Sequence, residues 1–257
     1  MKSSSPRARL RSLAVAAAVV GLSLAGSAPA HGAASDGLVP APTAKGAWTA
    51  RLVASTAARE KPWSRRVVEH LSTRTMWSAG PTQLLVLDSM IVKDPNHDPH
   101  RRLWLKVALP IRPNGTTGWI RADRAQLSRT AWRVAISTTR RTALVYRAGV
   151  LVRRFRVVVG APRTPTPHGL FAVYEVVRQR NPHGFIGPWA LHLTAFSNVL
   201  DNYGGGPGRV AMHGRDGASL RDPLGSARSH GCIRMANSAV RFLAKVLRPG
   251  APVRIGR

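Results

Sequence analysis

Cysteine is nearly absent: the 257-residue chain has one, Cys232, so no intramolecular disulfide can brace it and its stability must come from its cores. Acidic residues are scarce too, 11 against 39 Lys and Arg, for a formal net charge of +28 spread along the whole chain. That balance points to anionic partners. No helix-turn-helix, zinc-finger or RNA-binding aromatic pattern accompanies it, so specific nucleic-acid recognition is not expected. There is no Cys-x-x-Cys or His-Glu-x-x-His pair, and the glycine run 204–208 is not followed by Gly-Lys-Ser/Thr, which removes the common zinc and phosphate-loop signatures. No cofactor is expected. The longest apolar stretch, residues 13–25, is shorter than the ~20 residues needed to cross a bilayer.

What is present at the amino end is a basic start, that short apolar run, and Ala28-Pro29-Ala30 as a small-x-small cleavage site. Together these read as a secretory signal peptide over residues 1–30. The chain is therefore expected to be secreted and extracytoplasmic. Residues 31–47, rich in Ala, Pro, Gly and Ser, read as a flexible linker. From 48 to 129, Gln83-Leu84-Leu85-Val86-Leu87, the run 102–107 and Thr117-Gly118-Trp119-Ile120 are short strands separated by turns at Asp94-Pro95-Asn96 and Arg112-Pro113-Asn114-Gly115. Trp104 and Trp119 are expected in the core of this module.

A second unit spans 130–257. Residues 133–137, 143–146 and 151–159 read as strands, the second and third joined in a hairpin at Arg147-Ala148-Gly149. Residues 171–177 and 189–194 read as further strands, Asn237-Ser238 as the start of a short helix over 239–247, and 252–255 as a final strand. The fold class expected is mainly β: a small N-terminal β-barrel, then a β-rich domain with a short C-terminal helix. His168 is read as structural, and the loops 181–184 and 203–208 as rims of a groove. The place of His192 relative to any site is not set by sequence.

Chemistry concentrates in residues 210–235, which run from Val-Ala-Met-His-Gly-Arg to Ser-His-Gly-Cys-Ile-Arg-Met. Cys232 has His213 nineteen positions upstream, His230 two upstream, and Arg228 and Arg234 on either side. A neighbouring imidazole that takes the proton, together with cationic charge, favours the thiolate and makes the lone thiol a nucleophile. Gly231 before it allows a tight turn whose backbone N–H groups can meet a tetrahedral oxyanion. With so few acids nearby, a Cys-His-Asp triad is disfavoured. His213, His230 and Cys232 could offer three zinc ligands, but no fourth accompanies them, and no metal is expected.

The His-Gly pair at 213–214 followed by Ser229-His230-Gly231-Cys232 resembles the signature of the YkuD-type L,D-transpeptidases of bacterial cell walls, and the resemblance extends over residues 132–255. It implies Cys232 as acylated nucleophile, His213 as its base, the Gly214 carbonyl as the group orienting that imidazole, Ser229, His230 and Gly231 as oxyanion and orienting residues, and Arg234 as a contact for substrate carboxylates. It further implies peptidoglycan stem peptides as substrate and carbapenem-class β-lactams as inhibitors; anionic wall polymers are expected partners from charge. The 48–129 module is similar to the SH3-like modules of wall enzymes. The rival reading is a wall- or polyanion-binding protein whose cysteine is incidental.

Overall fold

Apolar residues that recur at every second position bury one face of an extended segment, and strands dominate accordingly. The computed structural model describes residues 38–93, 101–203 and 205–257, together with Met1. The expected signal segment and the Asp94-Pro95-Asn96 turn lie outside the described residues.

The first sheet uses β1 (Ala47–Leu52), β2 (Thr56–Arg59), β3 (Val67–Leu71), β4 (Gln83–Lys93), β5 (Arg101–Ala108), β6 (Thr117–Arg121) and β7 (Ala125–Thr130), in the order β3-β2-β6-β5-β4-β1-β7. All its pairings are antiparallel. Leu52, Leu84, Val86, Leu105, Val107 and Ile120 form a core of their own. Trp104 and Trp119 are both buried, Trp104 meeting Trp63 edge-on with ring centroids 5.0 Å apart. The expected tether ends sooner than its composition suggests: Val39 is buried, with its N–H and carbonyl both bonded to the Ser89 hydroxyl.

After Ala131 the chain builds a second sheet. Its elements are β8 (Trp132–Ser137), β9 (Thr142–Arg147), β10 (Val150–Arg156), β11 (Val159–Gly160), β12 (Gly169–Arg178), β13 (Trp189–Phe196), β14 (Arg209–His213), β15 (Ala227–Ser229), β16 (Ile233–Arg234), α1 (Asn237–Val246) and β17 (Pro252–Gly256). Eight strands run β10-β9-β8-β17-β12-β13-β14-β16, while β11 and β15 pair separately. The β9–β10 hairpin turns at Ala148 and Gly149, both with positive φ, the conformation a tight two-residue hairpin requires. Val173, Leu191, Leu193, Val210, Met212, Ile233, Val240 and Leu243 pack one continuous core between this sheet and α1.

The helix starts differently from the sequence reading. Ala236 is its N-cap, without a side-chain bond, and Asn237 instead turns its Oδ1 to accept the Arg215 N–H at 2.9 Å. A side chain that would ordinarily compete for the helix end here fixes the chain just after His213-Gly214.

All described elements lie in one unit, Ala33–Arg257, and two polar clamps join the sheets. Glu175 of β12, 1% exposed, accepts from Thr75 Oγ1 (2.7 Å) and from the backbone N–H groups of Trp77 (3.4 Å) and Ser78. At a second place Arg112 donates to the carbonyls of Ser197, Leu200 and Pro207, and the Asn114 amide exchanges two bonds with the Phe196 backbone.

Candidate active site

Register places the functional side chains. Residues 209, 211 and 213 of β14 share one face, and Ala190 and His192 of β13 stand directly opposite His213 and Ala211. Glu175 in turn opposes His192. On the far side β16 runs parallel to β14 with Met212 beside Ile233 and His213 beside Arg234, so Cys232, one residue earlier, falls beside Ala211 and diagonal to His213. The opposite face of these strands carries Leu191 and Met212 into the core. Cys232, His213, His230, His192 and Arg209 all line one cavity of about 330 Å³, walled by Trp77, Phe185, Ile186, Tyr203 and Pro207.

His213 is buried, and its Nδ1 lies 2.7 Å from the Gly214 carbonyl oxygen. An acceptor there requires the proton on Nδ1, which leaves the Nε2 lone pair as the basic position. Gly214 is constrained in return, because a Cβ at this position would overlap Asn237 Oδ1 and approach Pro188 Cδ to 3.0 Å. Burial pushes the His213 pKa down to about 4; the Gly214 and Ile186 backbone bonds pull it up, and the charges of Arg234 and His192 push it further down.

The loop before Cys232 is fastened from within. The Ser229 hydroxyl donates to the Cys232 carbonyl (2.6 Å) and accepts the Gly231 N–H (3.1 Å). Thr166 donates to the Gly231 carbonyl (2.9 Å), and Thr164 to that of Ser229 (3.0 Å). Gly231 sits at φ +114, outside the range comfortable for a side chain. Its N–H is therefore committed to Ser229, which corrects the expectation that it serves an oxyanion. The neighbouring Cys232 N–H has no partner among the described residues.

The electrostatics also differ from expectation. Burial raises the Cys232 pKa, against lowering by an Ala211 backbone bond and by the Arg234 charge. The resting pair is thus a thiol beside a neutral imidazole rather than a preformed thiolate.

Arg234 does not face the cavity. It is 3% exposed, donates to Asp222 at 2.5 Å, and lies with its Cζ 4.7 Å over the Phe185 ring, so its role here is a fixed positive charge behind His213 and Cys232. Arg228 is exposed. His230 is exposed at the cavity mouth with Nδ1 3.3 Å from the Tyr203 hydroxyl. His168 is bonded to Thr138 and stands apart from the cavity. Of the two expected rims, Tyr203, Gly206, Pro207 and Gly208 line the cavity, whereas Asn181 and Gly184 line a neighbouring groove. Among the described residues, no three His, Cys, Asp or Glu side chains gather to hold a metal.

Sequence reasoning missed Trp77, Glu175 and Arg209. Trp77 has no periodic signal to betray it. Glu175 does: a lone carboxylate inside the apolar run 171–177 demands partners when buried. Arg209, its pKa lowered to about 10 by burial, is packed against Trp77, Tyr174 and Phe196.

Residues 131–255 match the YkuD family, described as an L,D-transpeptidase catalytic domain. The YkuD protein of Bacillus licheniformis is 36% identical over 124 residues, covering 48% of this chain and 65% of the relative. That of Bacillus subtilis is 32% identical over 126 residues, covering 49% and 66%. The chain thus spans a little under two thirds of the curated relatives it matches. Among solved structures, an L,D-transpeptidase from Mycobacterium tuberculosis aligns over 90% of this chain and 100% of its own at 15% identity and a TM-score of 0.42. L,D-transpeptidase 3 of the same organism, in complex with a faropenem-derived adduct, aligns over 86% and 97% at 14% identity and a TM-score of 0.42.

Proposed function

We propose that this chain, whose residues 131–255 belong to the YkuD family of L,D-transpeptidase catalytic domains, is an exported enzyme that exchanges peptide bonds in peptidoglycan stem peptides. The observation that carries the mechanism is His213, held by Gly214 through Nδ1 and so presenting Nε2 in the cavity that contains Cys232. His213 Nε2 takes the proton as Cys232 Sγ bonds to the carbonyl carbon of the third stem residue. The carbonyl π pair moves to oxygen, where the Cys232 N–H stabilises it. The intermediate collapses by breaking the carbon–nitrogen bond, and His213 protonates the departing amine of the terminal D-amino acid. An amine of a neighbouring stem then attacks the thioester and regenerates the thiol. Water in place of that amine yields a trimmed stem, an L,D-carboxypeptidase side reaction.

Three further assignments rest on sequence and chemistry. The basic start, apolar run and Ala28-Pro29-Ala30 of the amino end support export. The net charge of +28 supports retention on anionic wall polymers. A carbapenem offers a strained amide carbonyl to the same thiol, and its ring-opened leaving group stays tethered in the path of the acceptor.

The test is mass spectrometry of defined stem peptides incubated with the full chain. Loss of the terminal residue with a joined product is expected, abolished by Cys232→Ala. His213→Ala should come close to it, with the two losses non-additive because the residues act as one unit. Near-normal rates in His213→Ala with loss in His230→Ala would move the base to His230.

A further inference from the structure

The catalytic sheet does not build its own cavity alone. Trp77 belongs to the loop between β3 and β4 of the first module, yet it lines the cavity of Cys232, and its ring stacks on His192 with centroids 4.5 Å apart and planes 26° from parallel. It remains 41% exposed, an unusual state for a tryptophan with a fixed backbone. Fixing is what Glu175 does: from the row that also carries His192, it accepts the Thr75 hydroxyl and the Trp77 and Ser78 N–H groups. Its carboxyl, pushed up by burial, is drawn below its ordinary range overall by these bonds. The loop also ties itself, through the Thr75 N–H to the Gly80 carbonyl and Arg74 to the Ala79 carbonyl.

The register sets how far this wall stands from the reacting thiol. Glu175, His192, Ala211 and Cys232 occupy one row across four adjacent segments. Strands lie about 4.8 Å apart, so His192 is roughly 10 Å from Cys232, the span of about three extended residues. Under the proposed reaction the leaving side of the stem holds a single residue, too short to cross that distance. The acyl side holds two residues before the third.

We propose that Trp77 is a specificity-determining residue, contributed by the N-terminal module, which packs against the apolar surface of the first two residues of the donor stem, and that Glu175 is its positioning residue. This rests on the transpeptidase reading for the identity of the ligand, but the wall itself does not.

Two measurements on the full chain separate these. In steady-state kinetics with donor stem, Trp77→Ala raises KM about tenfold and leaves kcat within twofold, the pattern of lost uniform binding; Trp77→Phe restores most of it. The penalty vanishes with a donor shortened by its first two residues. Glu175→Gln raises KM in the same way, and adding it to Trp77→Ala has no further effect, as expected if it acts only through Trp77. In the second measurement, modification of Cys232 by a bulky pyrene maleimide accelerates at least threefold in Trp77→Ala, while iodoacetamide reacts at the wild-type rate in every variant and thereby reports an intact site. Absence of stem turnover in the wild type, with the maleimide effect intact, removes the transpeptidase reading and the stem with it but keeps the wall. An unchanged KM, an equal penalty on the shortened donor, or an unchanged maleimide rate overturns the proposal.

Discussion

Acidification from pH 7 to pH 5 tests the site's electrostatics. An imidazole at its ordinary pKa of 6.5 would be only about 3% neutral at pH 5, and a reaction that uses it as base would fall about 25-fold from pH 7. The His213 pKa is lowered to about 4, chiefly by burial, so about 90% of it stays neutral at pH 5. The expected result is a kcat/KM that is nearly flat over this range, with its acid limb near 4. Because kcat/KM reports ionisations of the free enzyme, the assay is initial rates on a stem peptide at subsaturating concentration and constant ionic strength. Circular dichroism at each pH separates unfolding from titration. Arg234 supplies part of the lowering, so Arg234→Gln should move the limb to higher pH. An acid limb at 6.5 in the wild type, with the fold intact, would refute the burial argument and with it the assignment of His213 as a desolvated base.

Iodoacetamide modification of Cys232 should keep accelerating above pH 9, since burial raises that thiol; a plateau below 8 would indicate a preformed thiolate. Ser229→Ala removes the acceptor for the buried Gly231 N–H, and a loss of about 1–3 kcal/mol is expected from denaturant melts. Thermal stability should fall as pH drops from 6.5 through 4. The unfolded imidazoles of His192 and His213 bind protons there that the folded ones, both near 4, refuse; the difference is about 3 kcal/mol each, and a melting temperature flat across that window would contradict it. A carbapenem should add one mass, at Cys232, absent in Cys232→Ala on intact-protein mass spectrometry. Retention on wall fragments should weaken as salt rises from 0.1 to 1 M and the Debye length falls from ~10 to ~3 Å.

The meeting of Cys232 and His213 in one cavity and the bond between His213 Nδ1 and the Gly214 carbonyl were legible because these residues lie in a short signature, and local geometry then decides their contacts. Period-two alternation likewise disclosed most strands, and the amphipathic pattern of 239–247 disclosed the helix. What escaped is non-local. The use of the Gly231 N–H depends on a serine hydroxyl whose rotamer no spacing reports. Arg234 was read as a substrate contact because the sequence does not say which of its faces Asp222 would occupy. Asn237 carries the chemistry of a helix start, but the competing Arg215 N–H exists only once β14 is docked. Thr164 and Thr166 flank Pro165, and their hydroxyls brace the loop of Cys232 about 65 residues away. Trp77 reaches the cavity from another module altogether.

The strand order of the second sheet bears on when the surroundings of Cys232 are assembled. β17 is the latest strand in chain order, yet it sits in the interior of the sheet, parallel to β8 on one side and antiparallel to β12 on the other. Val134 finds its neighbour Val253 only after more than a hundred intervening residues have been made. Such long-range closure is slow compared with local hairpins. During synthesis the Cys232 loop emerges before the strand that joins the two halves of its scaffold, so until β17 inserts, the thiol is an unassembled side chain. The pocket around Cys232 is thereby tied to a sheet whose interior closes only with the last strand to be made.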